Sequence, residues 1–383
     1  MRIVFASIGA HGHLYPLVPL ALAARELGHD AVVATSEQFH PGLKQAGLET
    51  VSAGGSLDDE FRLALERKGG NPGAAFGEVF GRVLPLRLVA DLEPVLAAGD
   101  VGLVVHGLGS PGASIAARIA GLPTAVVAFG RMLEGELADA MLPRFQAICA
   151  EFGFPIADPR TMDSPYVDIC PPSLQVPGFV DHPAVLHTRF TPWNAPGDLP
   201  AALIDRDATR PLVYVTLGTV FADPGIMRKM IDGLAALPVD VLVAAGPKID
   251  AAQLGEIPEN VTVQAWVPQA AVLPQVDAIV HHGGSGTSLG AAAHAIAQLI
   301  VPLGADQETN AAELVRVGCG VRLSPRDLDG RAIAQHVQAI LSDSAVGRSA
   351  RRLAAEIATL PSPADTVTHL EAYSAELPHG PRG

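Results

Sequence analysis

The chain concentrates its chemistry-bearing residues in His281-His282-Gly283-Gly284-Ser285-Gly286-Thr287, which follows the strand-like run Asp277 to Val280 and precedes an Ala-rich periodic segment. That order predicts a strand, a glycine loop and a helix start. Glycines let a backbone approach a ligand closely, and the unpaired N–H groups and dipole at a helix N-terminus favour an anion such as a diphosphate. No Lys follows the last glycine, so this is not a P-loop, and the loop does not follow the chain's first strand as the dinucleotide fingerprint does. On its own it is equally compatible with a tight strand-to-helix turn.

Neighbouring residues narrow the choice. A second apolar run, Gln298 to Pro302, ends in Leu303-Gly304-Ala305-Asp306-Gln307, so two strands of one βαβ unit finish in polar loops. Open parallel sheets bind ligands beyond the carboxyl ends of their strands. Asp306 and Gln307 carry acceptors and donors suited to sugar hydroxyls. Trp266, after the strand-like Val261 to Ala265, offers an indole face for a nucleobase. Thr219, after the strand Leu212 to Leu217, offers a hydroxyl to a phosphate oxygen. Near the N-terminus the run Ile3 to Ser7 leads into Gly9-Ala10-His11-Gly12-His13-Leu14-Tyr15-Pro16, read as a loop at the carboxyl end of the first strand.

The succession WVPQ, HHGGSGT and DQETNA resembles the donor-sugar box of inverting glycosyltransferases with two Rossmann-like domains, the GT-B type, above all those that decorate bacterial natural products of the macrolide and enediyne kind. The resemblance implies that Trp266 stacks on the base, with Val267 beside it at the donor. It implies that His282, Gly284, Ser285, Gly286 and Thr287 hold the diphosphate with Thr219, and that Asp306 and Gln307 bind the sugar. Gly12-His13-Leu14-Tyr15-Pro16 matches the loop that carries the family's catalytic base, which assigns that role to His13 and makes His11 the second choice. Many relatives place an Asp after the strand corresponding to Val101 to His106, where it orients the base; here Gly107 stands in its place. Another acid or Ser110 then supports His13, or the acceptor hydroxyl is as acidic as a phenol.

The same resemblance implies no metal and no cofactor. The nucleoside-diphosphate sugar is a substrate, TDP- or UDP-linked, and the acceptor is a hydroxyl on an apolar small molecule. Relatives that use UDP-sugars carry a Glu eight positions after the diphosphate His; that position is Gly290 here, which points to a TDP-sugar, a deoxysugar among the expected donors. Two alternatives stay open: a nucleotide-sugar epimerase or hydrolase, for which Glu308 is the nearby acid, and a non-catalytic nucleotide-sugar-binding protein.

Composition bounds the rest. A length of 383 residues suits two domains, and a net charge of −14 without Lys or Arg runs excludes a nucleic-acid-binding surface. The 3 cysteines, Cys149, Cys170 and Cys319, have no CxxC spacing, so neither a disulfide framework nor a zinc site is expected. Gly9 to His13 interrupts the apolar start too early for a signal peptide, and no run reaches the ~20 apolar residues of a membrane span. A soluble cytoplasmic protein, with a homodimer among its possible states, is the expectation.

The strand, turn and helix rhythm predicts an α/β fold of two doubly wound Rossmann-like domains, facing each other across a cleft as the resemblance implies. The expected limits are 1–195 for an acceptor domain, 196–210 for a linker whose start overlaps the Pro-rich Phe190 to Pro200, and 211–360 for the nucleotide-sugar domain. Thr366 to Glu376 is expected to return to the first domain. A helix from Pro16 should bury Leu17, Leu20, Ala21, Ala24 and Leu27 on one face. Gly54 to Pro72 reads as a polar variable loop, Phe76 to Leu96 as a helix, and Ser173 to Val176 as the last strand of the first domain.

Overall fold

A computed structural model describes residues 1–204, 206–207, 209–220 and 223–376. Two positions of the expected linker, Asp205 and Ala208, and the pair Phe221 and Ala222 lie outside the described residues, as does 377–383. The chain forms two compact units: one from Met1–Ala195 together with the chain from Leu360 on, the other from Pro196–Thr359. Among the described residues no helix is long and apolar enough to cross a membrane.

The first unit is a seven-stranded sheet built from β1 (Arg2–Ala6), β2 (Asp30–Thr35), β3 (Glu49–Ser52), β4 (Val101–Gly107), β5 (Thr124–Val127), β6 (Tyr166–Asp168) and β7 (Val185–His187), in the order β3-β2-β1-β4-β5-β6-β7. Every pairing is parallel. Parallel strands are covered on both faces and read as continuous apolar runs, and β1 shows how: Ile3 and Phe5 join the core on one face, Val4 and Ala6 the core on the other. Strand order reverses between β1 and β4, so the carboxyl end of β1 is a switch point where a doubly wound sheet opens a crevice. His13 lies in the helical turn that comes after it, beyond the connecting residues 7–10.

The second unit repeats the plan with β8 (Leu212–Thr216), β9 (Asp240–Ala244), β10 (Val261–Gln264), β11 (Ala278–His281), β12 (Ala297–Ile300) and β13 (Gly320–Arg322), ordered β10-β9-β8-β11-β12-β13 and all parallel. Its switch point falls between β8 and β11. Thr219 follows the first of these strands and His282 the second, so the topology alone brings the two loops side by side.

The final helix, Pro363–Glu376, buries Val367 and Leu370 in the same core as Leu20 and Ala24. It is tied down by Thr188 to Thr366 at 2.6 Å and by Ser374 Oγ donating to the Gly102 carbonyl at 2.9 Å.

Four local expectations are corrected. The segment after β1 is helical from His11, through a short turn His11–Leu14 and a 3-10 turn Tyr15–Leu17 into Val18–Glu26. Leu27 caps that helix outside the apolar face and is 47% exposed, because Gly28 (φ 87) turns the chain away. Gly54 to Pro72 contains the helix Leu57–Arg67. Ser56 caps it by accepting from the Asp59 N–H, Asp58, Asp59 and Glu60 suit its dipole, and Leu57, Phe61 and Leu65 pack one face onto the core. Ser173 to Val176 is no strand: the Pro171-Pro172 pair starts a 3-10 turn over Pro172–Leu174, and the sheet closes with β6 and β7. At three residues each, those strands are too short to show a period.

Candidate functional site

The glycine loop of the second unit leaves β11 at His281 and enters the helix Ser285–Ala293. Gly284 is the N-cap, extended at φ −62 and ψ 140, and no side chain caps the helix. The N–H groups of Ser285, Gly286 and Thr287 therefore meet no side-chain acceptor, which is how a helix N-terminus is left when an anion is to fill it. A Cβ at Gly286 would meet no atom within 4 Å, so this glycine borders open space.

The two histidines divide the work. His281 is fully buried; its Nδ1 accepts from the Gly283 N–H at 3.0 Å, and its Nε2–H donates to Gln298 Oε1 at 2.9 Å. Both nitrogens are used to shape the loop, and burial pushes its pKa down to about 3. His282 is pinned between two glycines: a Cβ at Gly218 would lie 2.7 Å from its Cε1 and Nε2, and one at Gly284 would lie 2.4 Å from Nε2. Gly218 also takes φ +74, which a side chain disfavours. Burial lowers the His282 pKa to about 4, with Asp306 and the Thr216 main chain opposing in part, and its Nδ1 is buried with no hydrogen-bond partner. The ring is neutral and held beside the uncapped helix start.

Asp306 is joined to the loop. Its Oδ2 accepts from Ser285 Oγ at 2.7 Å and from Asn310 Nδ2 at 2.9 Å. Gln307 is only 3% exposed and turns its side-chain oxygen onto the N–H groups of Leu303 (2.7 Å) and Gly304 (3.1 Å), so it braces the β12 loop rather than presenting that oxygen to a sugar. Val267 is likewise buried, in a core with Val272 and Leu273, so its side chain is packed inward rather than offered to a ligand. Trp266 keeps 44% of its surface exposed and Thr219 is half-buried next to Gly218, both compatible with ligand contact. Thr287 Oγ1 reaches Gln269 Oε1 at 3.5 Å. Sequence reasoning missed Asn310 and Gln298 as parts of this site. Their signal is polar identity at buried positions directly behind the loop, which a single sequence does not reveal.

In the first unit His13 is half-buried, its ring 4.8 Å from that of Phe129 and 6.0 Å from that of Phe80. Gly109 lies against it: a Cβ there would come within 2.8 Å of His13 Cε1 and Nδ1, so that position has no room for a side chain. Gly107 is different, since a Cβ would make only ordinary contacts of 3.6 Å or more; the glycine is not required by space. Ser110 Oγ accepts from the Ile8 N–H at 3.2 Å and so anchors the end of β1. His11 faces another group, with ring centroids 5.1 Å from Tyr15 and 4.8 Å from Phe39, and burial lowers its pKa. Among the described residues no group of three or more His, Cys, Asp or Glu is placed to hold a metal ion.

Two doubly wound parallel units, one with an anion-ready helix N-terminus at its switch point, define a GT-B scaffold. Residues 228–373 match the family described as "Erythromycin biosynthesis protein CIII-like, C-terminal domain". The chain is 33% identical to L-demethylnoviosyl transferase of Streptomyces niveus, covering 98% of this chain and 99% of that one. It is 31% identical to elloramycin glycosyltransferase ElmGT of Streptomyces olivaceus, covering 97% of each. The solved structure of Streptomyces sp. SF2575 glycosyltransferase SsfS6, complexed with thymidine diphosphate, aligns with a TM-score of 0.78 at 29% identity over 97% of this chain and 99% of that chain. The chain belongs to the GT-B glycosyltransferases of antibiotic biosynthesis.

Proposed function

We propose that this glycosyltransferase inverts the anomeric centre and, without a metal, moves a sugar from TDP to a hydroxyl of an apolar natural product. The first unit takes the acceptor and the second the donor. His13 accepts the acceptor's hydroxyl proton while that oxygen attacks the anomeric carbon from the face opposite the diphosphate. The bond from the anomeric carbon to the diphosphate oxygen breaks, and TDP leaves with its electron pair. The uncapped N–H groups of Ser285, Gly286 and Thr287 stabilise the charge that develops there, with His282 and Thr219 beside them, through preorganised dipoles that need no reorientation. Trp266 stacks on the base, and Asp306 binds sugar hydroxyls, with Gln307 holding its loop.

The uncapped helix N-terminus bordered by Gly286 carries this reading. TDP as the nucleotide is supported by Gly290, which offers no carboxylate to a ribose 2′-hydroxyl, and by the similar chain that binds thymidine diphosphate. The epimerase alternative is weakened by Glu308, which is engaged with Arg322 Nε at 2.7 Å on the surface. The test is to incubate the protein with a TDP-sugar and a panel of aglycones and to read products by mass spectrometry and anomeric NMR couplings. A glycoside of inverted configuration supports the reading; free sugar, an epimerised donor or binding without turnover each argues for one of the alternatives.

A further inference from the structure

Asn310 sits in the helix Gln307–Arg316, one turn after Asp306, and is 8% exposed. Its single side-chain NH2 faces three acceptors: the Gly283 carbonyl at 2.9 Å, Ser285 Oγ at 3.1 Å and Asp306 Oδ2 at 2.9 Å. Gly283 is the left-handed residue (φ +93) that turns the chain out of β11, and a Cβ there would lie 3.0 Å from the Gln307 carbonyl. Ser285 opens the anion-binding helix. Asp306 is the acid at the end of the β12 loop. One buried amide therefore ties the turn, the helix start and the carboxylate together.

We propose that Asn310 is a positioning residue for the sugar half of the donor, setting the orientation of the Asp306 carboxylate relative to the glycine loop; this rests on the donor reading given above. The physical reasoning is a count of donors. Asp306 Oδ2 accepts from both Ser285 Oγ and Asn310 Nδ2, so both bonds fall on one oxygen and the carboxylate's other oxygen is left to serve a sugar hydroxyl. Without the amide, Ser285 alone holds the carboxylate, and a single hydroxyl contact permits rotation about the Asp306 side chain. The N–H groups of the helix N-terminus make no bond to Asn310, and the Gly283 turn before them is also held by the Gly283 N–H donating to His281 Nδ1 at 3.0 Å. Loss of Asn310 thus falls mainly on the sugar and only weakly on the nucleoside diphosphate.

The experiment compares binding of TDP and of TDP-glucose by calorimetry. Asn310→Ala is expected to weaken TDP-glucose by about tenfold and TDP by less than about twofold, a charge-assisted hydrogen bond being the interaction lost. Asn310→Asp, which keeps the shape but cannot donate, is expected to behave at least as badly. In an Asp306→Ala background the Asn310→Ala change is expected to cost TDP-glucose less than about twofold more, because nothing remains to be positioned. Thermal unfolding checks the fold, and Asn310→Ser replaces Asn310→Ala if the latter does not fold. Equal losses for TDP and TDP-glucose, or losses that multiply in the double variant, overturn the inference. Failure of the unmodified protein to bind TDP overturns the donor reading itself and this inference with it.

Discussion

His13 and His282 are proposed for different jobs, and their surroundings make the difference testable one residue at a time. Removal of the proposed base, His13→Ala, is expected to lower turnover by about 10² or more while TDP affinity stays near that of the unmodified protein; turnover within a few-fold of wild type would end the assignment. His282 is held by the absence of two side chains. The methyl of Gly284→Ala would lie 2.4 Å from its Nε2, so the ring must leave its slot, and TDP affinity is expected to fall roughly tenfold with little change in the first unit. Gly286 gives the converse case. A Cβ there meets nothing within 4 Å, so Gly286→Leu is expected to fold with an unchanged melting temperature yet exclude the diphosphate. Calorimetric affinity for TDP that survives in Gly286→Leu would remove the diphosphate from this loop.

At the scale of elements, what the sequence revealed was set by run length and by signal type. β1, β8 and β11 are buried runs each followed by a glycine turn, and the glycine loop before an Ala-rich helix is visible without a structure because both its strand and its helix carry strong patterns. The helix Leu57–Arg67 was not legible, although its markers were present: Ser56 with acids behind it is a helix start, and Leu57, Phe61 and Leu65 fall four apart. Its polar majority and flanking glycines outweighed them. Its cap gives a direct check, since Ser56→Ala removes the bond to the Asp59 N–H and is expected to cost about 1 kcal/mol, seen as faster amide exchange confined to this helix. The candidate donor site was legible in the residues proposed to face a ligand and illegible in those that brace them, Asn310 and Gln298. The inward turn of Gln307 onto the Leu303 and Gly304 N–H groups and the burial of Val267 beside Val272 and Leu273 are short-range, but they depend on loop conformation, which carries no periodic signal in the sequence.

For the molecule as a whole, buried titratable groups make acid the condition that separates its two units. His281 and His282 lie in the second unit with pKa values lowered to about 3 and about 4, so both stay neutral in the fold while each binds a proton on unfolding below about pH 6.5. Their contribution is fully present above that pH and is lost as pH falls. In the first unit His106, buried with Nδ1 against the Gly107 carbonyl and lowered to about 4, acts in the same direction. There it meets an opponent. Burial raises Asp168 to about 6, so this carboxyl stays protonated in the fold up to that pH while the unfolded chain ionises it above about 4; its contribution is fully present below about pH 4 and is lost as pH rises through about 6. Near pH 5 unfolding the first unit thus takes up one proton at His106, adds uptake at His11, whose pKa burial also lowers, and releases one at Asp168. Unfolding the second takes up two with nothing released against them, which makes its stability fall by about 3 kcal/mol per pH unit while that of the first falls less steeply. Against a typical domain stability of about 5–15 kcal/mol, such a slope is decisive within two pH units. Scanning calorimetry from pH 7 to pH 4.5 is expected to show the transition of the second unit moving to lower temperature ahead of the first, together with loss of TDP binding. His281→Gln is expected to halve the slope, because one of the two protons no longer has a site. Parallel shifts of both transitions, or a slope indifferent to His281→Gln, would refute the assignment of acid lability to the histidine pair behind the glycine loop.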